Sequence, residues 1–258
     1  MMKLQIVALF VGILAVAANA NATAKDKDVK RSEADKKAIA AIKKLGGSVT
    51  FDEKRPGKPV IGVDFFFGPN VTNAGLVHLQ GLANLQYLYL RSTQITDTGL
   101  MHLKGLNKLR ELHLSRTKIT NAGLVHLKGL TNLVVLELKG TNVVGDGLGH
   151  LKGLVKLKNL NLGCTDVGDA GLSHLKGLTR LEELSLEYSD ITDAGFKHLT
   201  KLSSLTDLVV YETNVSDAGL EHLKGLTSRR NLDIRGTNVT DEGVKKLQQA
   251  LPNCEIFR

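Results

Sequence analysis

Residues 85–108 read LQYLYLRSTQITDTGLMHLKGLNK, and residues 109–132 read LRELHLSRTKITNAGLVHLKGLTN. The two stretches agree at most apolar positions and carry a glycine at the same place, 24 residues apart. That glycine recurs on the same period at Gly75, Gly99, Gly123, Gly147, Gly171, Gly195, Gly219 and Gly243. A unit this short cannot bury its own apolar face, so the units must stack around one shared core. The period therefore predicts a single elongated domain.

Each unit predicts one strand followed by one short helix. In the strand, Leu88 and Leu90 alternate inward while Tyr87 and Tyr89 alternate outward. In the helix, a leucine at every third residue from Leu100 forms one inward stripe. A hydroxyl side chain occupies the helix N-cap position in Thr96, Thr120, Thr192, Ser216 and Thr240. The fourth repeat has Val144 there, so we expect its helix to be less well capped.

The motif L-x-x-L-x-L-x-x-T-x-[IV]-T-D-x-G-L resembles the leucine-rich repeat over residues 60–258. The resemblance implies an α/β fold, a curved horseshoe-shaped solenoid with a parallel sheet on the concave side and short helices on the convex side. The I-T-D-x-G-L segment is most similar to repeats that accompany F-box domains and to those of exported bacterial proteins, such as planctomycete proteins. The residues before the repeats do not resemble an F-box.

The segments outside the repeats predict a leader and a cap. A lysine, the apolar run 4–18 and the sequence Ala18-Asn19-Ala20 predict a cleaved signal peptide over 1–20, with an uncleaved membrane anchor as the alternative. Residues 21–31 are polar and predict a disordered linker. Residues 32–59, which open with a helix capped by Ser32, predict an N-terminal cap. Residues 60–258 form the solenoid, closed by a capping strand. We expect an exported protein (periplasmic, cell-envelope or secreted) with no stable membrane span after cleavage.

Two features near the C-terminus depart from the period. Arg229 stands where other repeats have the first strand leucine, and we expect its head to reach water while its stem covers the core. A one-residue break in the register at 250–252 predicts that Cys254 and Phe257 take the places of two strand leucines. Cys164 and Cys254 lie almost four repeats apart, so we expect two free thiols.

A column of hydroxyl residues stands where leucine-rich repeats usually carry an asparagine that hydrogen-bonds the backbone at the bend. Its members are Thr93, Thr117, Thr141, Thr165, Ser189, Thr213 and Thr237. A hydroxyl both donates and accepts, so the resemblance implies a structural ladder with fewer bonds than asparagine would make.

Two columns on the helical side carry charge or potential charge. The histidines are His78, His102, His126, His150, His174, His198 and His222, and the lysines are Lys104, Lys128, Lys152, Lys176 and Lys224. The histidines fall on the flank of each helix, one per layer, whereas zinc needs ligands that converge on one point, so we predict no metal site. Protonation of histidines in neighbouring layers would place like charges side by side, so we expect lower stability in mild acid. The lysines predict a solvated face or, alternatively, contact with an anionic polymer or membrane.

The outward strand positions vary from repeat to repeat and supply the candidate site on the concave face. The candidates are Tyr87, Tyr89, Arg91, Glu111, His113, Glu137, Glu182, Glu183, Glu187, Tyr188, Asp207, Tyr211, Glu212, Asp233 and Arg235. The acids and tyrosines of the fifth to seventh repeats suit a basic or polar partner. We therefore expect lysines on the helical side and acids on the inner sheet, so the net charge of +8 misleads.

Catalytic residues are not predicted. His113 and Ser115 share a strand face, but the sequence offers no third group to orient the histidine and no oxyanion hole. Aromatic residues interleaved with lysines, as single-stranded nucleic acid would need, are absent from the helical side. We predict a non-enzymatic exported recognition module without cofactor or nucleic acid, which binds a protein or peptide, less favourably a glycan. The alternatives are an envelope-associated structural protein and, by repeat similarity only, an F-box-type adaptor.

Overall fold

The structure is a computed structural model that describes residues 31–65, 68 and 70–258. The predicted signal peptide and all but the last residue of the predicted linker lie outside these residues. Within them, no helix combines the length and apolar character that crossing a bilayer requires.

The described residues contain one ten-stranded sheet whose strands follow in chain order. The strands are β1 (Ser48–Phe51), β2 (Val60–Asp64), β3 (Tyr87–Tyr89), β4 (Glu111–His113), β5 (Val135–Glu137), β6 (Asn159–Asn161), β7 (Glu183–Ser185), β8 (Asp207–Val209), β9 (Asn231–Asp233) and β10 (Glu255–Phe257). β1 runs antiparallel to β2, and every later neighbour is parallel. Leu88 pairs with Leu112, which pairs with Leu136, so the sequence period is also the strand register.

Short helices connect the strands on the convex side. The α-helices are α1 (Glu33–Lys44), α2 (Asp97–Leu100), α3 (Asn121–Leu124), α4 (Gly168–Leu172), α5 (Asp193–Phe196), α6 (Asp217–Glu221) and α7 (Asp241–Ala250), and the 3₁₀ helices are Asn73–Leu79, Met101–Leu103, Val125–Leu127, Gly145–Leu151 and Ser173–Leu175. Ser32 caps α1 by accepting a hydrogen bond from the Asp35 amide. Val144 makes no side-chain cap, and its helix is 3₁₀ throughout. The leucines of strand and helix are fully buried between the two layers.

The recurring glycine has a steric cause in a contact between successive repeats. Asp193 at the start of α5 accepts a hydrogen bond from the Ser216 amide (2.7 Å) and another from its hydroxyl (2.6 Å). A Cβ on Gly219 would lie 2.5 Å from Asp193 Oδ1, closer than such atoms approach. The same clamp joins Asp97 to Thr120, Asp169 to Thr192, and Asp217 to Thr240. The glycine is therefore needed for close approach, not for a left-handed backbone.

The clamp is missing between the fourth and fifth repeats. Gly145 stands in the aspartate position, and Gly168, with φ of +57°, stands where the hydroxyl residue would be. A Cβ on Gly145 would overlap the carbonyl oxygen of Val167. The two backbones thus meet directly at this layer instead of through a carboxylate.

The hydroxyl column contributes within each repeat. Thr141 Oγ1 donates to the Leu138 carbonyl at 2.6 Å, and the other six members donate in the same way to the carbonyl three residues earlier. The bonds therefore close each turn, and the layers are joined by the aspartate clamps instead.

The C-terminal cap differs from expectation in two ways. β10 keeps the 24-residue register, with Ile256 opposite Leu232 and Phe257 opposite Asp233, so the predicted one-residue break in the strand and the inward place of Phe257 are wrong. Cys254 is buried in the core, as its predicted replacement of a strand leucine requires. The prediction for Arg229 is also wrong, because its side chain is 2% exposed and its head is buried. Burial lowers the pKa of Arg229 to about 10. A long side chain in a leucine position has no path to water once the cap covers the last layer.

Candidate functional site

A groove of about 400 Å³ lies on the concave face, where the outward strand side chains meet. We call this the concave groove. It is lined by Arg91, Ser115, Glu137, Lys139, Asn161, Ser185, Glu187, Asp207, Leu208, Val209, Tyr211, Asn231, Asp233, Arg235, Glu255 and Phe257. The lining comes from strands β5 to β10 and from residues that follow strands β3 to β9, so the repeat period itself brings distant residues together.

The structure brings seven of the fifteen predicted site residues into this groove. They are Arg91, Glu137, Glu187, Asp207, Tyr211, Asp233 and Arg235. Tyr87, Tyr89, Glu111, His113 and Glu183 stand on the same sheet face outside the lining. Tyr188 and Glu212 occupy left-handed turns after β7 and β8 and are exposed. Glu182 precedes β7 and pairs with Lys158 at 2.6 Å.

A partly buried ion pair crosses the groove between repeats that are not adjacent. Lys139 Nζ lies 2.6 Å from Glu187 Oε1, two repeats further along the chain. The residue between them in the sheet is Gly163, and a Cβ there would overlap the Glu187 carboxyl. Burial by itself would lower the pKa of Lys139, but its hydrogen bond to Glu187 raises the pKa above the ordinary value.

A second ion pair lies at the C-terminal end. Arg235 donates to Asp233 through Nε (2.9 Å) and through a terminal nitrogen (2.5 Å). The same guanidinium lies 5.6 Å from the centre of the Tyr211 ring. The Tyr211 and Tyr188 rings meet edge to face, with their centroids 5.1 Å apart. Lys139 and Arg235 thus lie among the acidic side chains of the fifth to seventh repeats. The expected separation of acids from bases is therefore wrong for the groove.

Two acids face each other at the start of β7 and β8. Glu183 pairs in register with Asp207. Burial and the charge of Asp207 raise the pKa of Glu183. Asp207 accepts a hydrogen bond of 2.5 Å from Asn231. The two acids therefore place negative charge at the edge of the groove.

A compact polar cluster occupies the N-terminal part of the concave face. The Tyr89 ring stacks on His113 with centroids 4.5 Å apart, and its hydroxyl donates to Glu111 at 3.1 Å. His113 lies between two carboxylates, 3.7 Å from Glu111 and 3.4 Å from Glu137. Burial lowers the pKa of His113, but the two glutamates outweigh it and raise the pKa to about 9. His113 is therefore protonated at neutral pH.

The cluster is not arranged for nucleophilic catalysis. The expectation that no third group would orient His113 is wrong, since Glu111 and Glu137 flank it. Ser115, however, donates its hydroxyl proton to Glu137 at 3.2 Å and not to the histidine. A protonated imidazole cannot accept a proton, so the pair does not supply an activated serine at neutral pH.

The histidine and lysine columns lie on the helical side, away from the groove. Five of the seven periodic histidines are half-buried, and the two at the ends of the column are exposed. Burial and a nearby lysine lower the pKa of His150 and of His198. This direction agrees with the predicted loss of stability in mild acid, which stays a prediction. The described part of the chain holds no group of three or more histidine, cysteine or acidic side chains placed to bind a metal, and neither cysteine forms a disulfide.

The predicted site did not include several residues that line the groove, namely Lys139, Asn161, Ser185, Asn231, Glu255 and Phe257. Lys139, Asn161 and Asn231 occupy outward strand positions in the sequence, so their place on the concave face was predictable. The period contains the signal that would have found Lys139, because it occupies the repeat position of Arg91 and Arg235. Phe257 was missed because the register of β10 was assigned wrongly.

Comparisons with known proteins agree with this architecture. A family model described as "Leucine rich repeat" matches residues 83–144, and a second one of the same description matches residues 154–176 and 230–247. A search of curated proteins found no match. The solved structure of internalin C2 from Listeria monocytogenes is similar with a TM-score of 0.65 and 26% identity, over 86% of this chain and 90% of that one.

Two larger solved proteins share the fold at lower identity. The ectodomain of the Arabidopsis receptor kinase HAESA, solved with an extended IDA peptide hormone, has a TM-score of 0.64 and 20% identity over 87% of this chain and 40% of that one. A leucine-rich repeat protein of Leptospira interrogans has a TM-score of 0.57 and 18% identity over 70% of this chain and 45% of that one. This chain spans less than half of either protein.

The repeat motif, the strand register and the leucine-rich core of this chain all agree with these comparisons. Leucine-rich repeat domains are in general recognition modules for proteins and peptides, and they are typically not enzymes. The curved solenoid with its parallel concave sheet is the fold that the sequence motif implied. The chain is a leucine-rich repeat protein.

Proposed function

We propose that this protein is a non-enzymatic, exported recognition module that binds an extended peptide or protein segment in the concave groove. The observation that carries the proposal is the groove itself, with charged, polar and aromatic side chains projecting from a core built mainly of leucine. A site grafted on a rigid scaffold can vary without loss of the fold. Tyr211 and Phe257 supply aromatic anchors of the kind that dominate interface energies.

The shape and size of the groove favour an extended ligand. It runs across several parallel strands rather than into the core, so a segment lying along it meets side chains from successive repeats. By analogy, the HAESA ectodomain was solved with a peptide hormone. Export is proposed from the leader-like residues 1–20.

A peptide-display selection tests the proposal. Random dodecapeptides are selected on the immobilised full chain, and their affinities are measured for the wild type and for a groove variant that combines Tyr211→Ser with Asp207→Asn. Both residues are half-buried in the groove and carry no core packing, so the variant should fold. We expect affinity to fall by roughly tenfold or more, because an aromatic anchor and a charge are lost together.

The matched control is a variant of the helical side, Lys128→Gln with Lys152→Gln, which changes two exposed lysines far from the groove. Its affinity for the selected peptides should equal that of the wild type. Peptides that bind the groove variant normally would contradict the proposal. Loss of binding in the lysine variant instead would support the envelope-associated alternative.

A further inference from the structure

Glu187 is a buried carboxylate in the floor of the concave groove. Its side chain is 4% exposed, and its carboxyl group lies over Gly163, where the repeat lacks a side chain. One oxygen, Oε1, accepts the hydrogen bond from Lys139. The position is built for a carboxylate, since any larger residue at 163 would exclude it.

The second oxygen of this carboxylate is unsatisfied. Oε2 is buried and has no hydrogen-bond partner among the residues that the structure describes. A carboxylate offers about four lone-pair sites, and Lys139 occupies one of them. Leaving a buried charged acceptor without a donor is unfavourable, so the group stabilises a donor that approaches from the groove.

The surroundings favour a positively charged donor over a neutral one. Five acids and three bases line the groove. Two of the bases, Lys139 and Arg235, are already paired with Glu187 and Asp233. Asp207 and Glu255 add negative charge, and Glu183 stands beside Asp207 on the next strand. The potential in the groove is therefore negative around a free acceptor.

Lys139 and Tyr211 control access to Glu187. The Lys139 side chain is 27% exposed and can rotate towards solvent, which opens the carboxyl group from the groove side. Tyr211 is the outward residue of the neighbouring repeat, and its ring offers an apolar wall for an aliphatic stem. Because the ring already accepts the Arg235 guanidinium at 5.6 Å, a second cationic side chain in this region has a precedent within the molecule.

We propose that Glu187 is a subsite for a lysine or arginine side chain of the bound segment, whose cationic group donates to Oε2 while its stem packs against Tyr211. This inference rests on the proposed function and names the chemical class of ligand that the groove selects. Lys139 is then an internal competitor, which holds the carboxylate until a basic side chain arrives.

Four pools of labelled heptapeptides test the subsite. Each pool is random except at the central residue, which is lysine, arginine, norleucine or glutamate. Fluorescence anisotropy measures their binding to the full chain. We expect the lysine and arginine pools to bind roughly tenfold tighter than the norleucine pool, since a desolvated charge pair is replaced by an apolar group of the same length.

Two variants separate Glu187 from the rest of the groove. Glu187→Gln should reduce the preference for basic pools to about onefold, with the norleucine pool unchanged, because the amide keeps the shape and loses the charge. Lys139→Met should increase the preference, since the competitor is removed. The matched control is Lys158→Met, which breaks an ion pair of the same 2.6 Å length outside the groove lining. It should leave every pool unchanged.

A measurement on the wild type guards against variants that fail to fold. In protein labelled with ¹³C at glutamate carboxyl carbons, one resonance should shift on addition of the lysine pool and stay in place with the norleucine pool. Equal affinity of all pools, or tightest binding of the glutamate pool, would overturn the subsite while leaving the groove as a binding site. Absence of binding by every pool, together with failure of the peptide selection, would overturn the proposed function itself.

Discussion

The convex and concave sides of each repeat contact the neighbouring repeats in different ways. On the convex side, one contact recurs from layer to layer, as when Asp193 accepts two hydrogen bonds from Ser216 and Asp217 accepts two from Thr240. On the concave side, each contact occurs at its own place, as with the Lys139–Glu187 pair. The convex contacts span one repeat, whereas this concave pair spans two.

This difference assigns stability and recognition to separate surfaces. A contact repeated in several layers adds nearest-neighbour stability along the array, which is how solenoids resist unfolding. A contact found once adds little to the array but gives one location a distinct shape and charge. The following predictions test that separation, beginning with the largest expected effect.

Replacing Gly219 by alanine should break a convex contact. The new Cβ would lie 2.5 Å from Asp193 Oδ1, so the carboxylate must move and lose its bonds to Ser216. We expect the free energy of unfolding to fall by roughly 3 kcal/mol, from overpacking and the lost charged hydrogen bonds. Urea denaturation measures it. Gly225→Ala is the control, because no described atom lies within 4 Å of its Cβ. Similar midpoints for the two variants would contradict the steric role of the period.

Replacing Arg229 by leucine should restore the repeat at its weakest layer. The wild-type guanidinium is buried, and its nitrogens have no hydrogen-bond partner among the described residues. We expect the free energy of unfolding to rise by roughly 2–3 kcal/mol, since a buried unpaired charge is exchanged for core packing. Thermal unfolding followed by circular dichroism measures it. The neighbouring exposed Arg230→Leu should change little. A lower midpoint for Arg229→Leu would refute the assignment.

Replacing His113 by glutamine should alter how the free energy of unfolding depends on pH, because His113 lies between Glu111 and Glu137 on the concave face. The pKa of His113 rises from 6.5 to about 9 on folding, so its contribution is complete below pH 6.5 and is lost as the pH rises through 9. Relative to the variant, the wild type should lose roughly 2–3 kcal/mol of unfolding free energy across this range. Urea titrations at several pH values compare the two proteins. Parallel curves would show that the glutamates do not hold the imidazolium.

Replacing Thr141 by valine should give the smallest effect. The hydroxyl donates one hydrogen bond to the Leu138 carbonyl, and the residue is buried at 4% exposure. Loss of that bond should lower the free energy of unfolding by roughly 1 kcal/mol. The exposed Thr131→Val provides the control in a melting experiment. If both variants melt like the wild type, the hydroxyl column does not stabilise the turns.

The fold was predictable because the period acts at every level. The leucines of strand and helix, the hydroxyl caps and the glycine each recur every 24 residues, and the sheet register repeats the same number. The errors fell where the period fails. An arginine at position 229 can reach water only if the last layer is open, and the cap closes it. Residues 250–252 depart from the repeat pattern, yet they do not shift the register of β10.

The candidate groove was less predictable, because its contacts join residues that sequence distance does not relate. Acids of the fifth to seventh repeats could be assigned to the concave face, but Lys139 reaches Glu187 over Gly163 from two repeats away. Side-chain length and direction decide such pairs, and neither follows from strand alternation.

The sequence by itself determined the repeat unit, the direction of each side chain relative to the sheet and the location of the variable face. These follow from local periodicity, which chain geometry enforces in each layer. The tertiary structure decided why the glycine recurs, which charges in the groove are paired and which remain available. Those properties depend on distances between layers of a few ångströms, and such distances exist only once the layers are stacked.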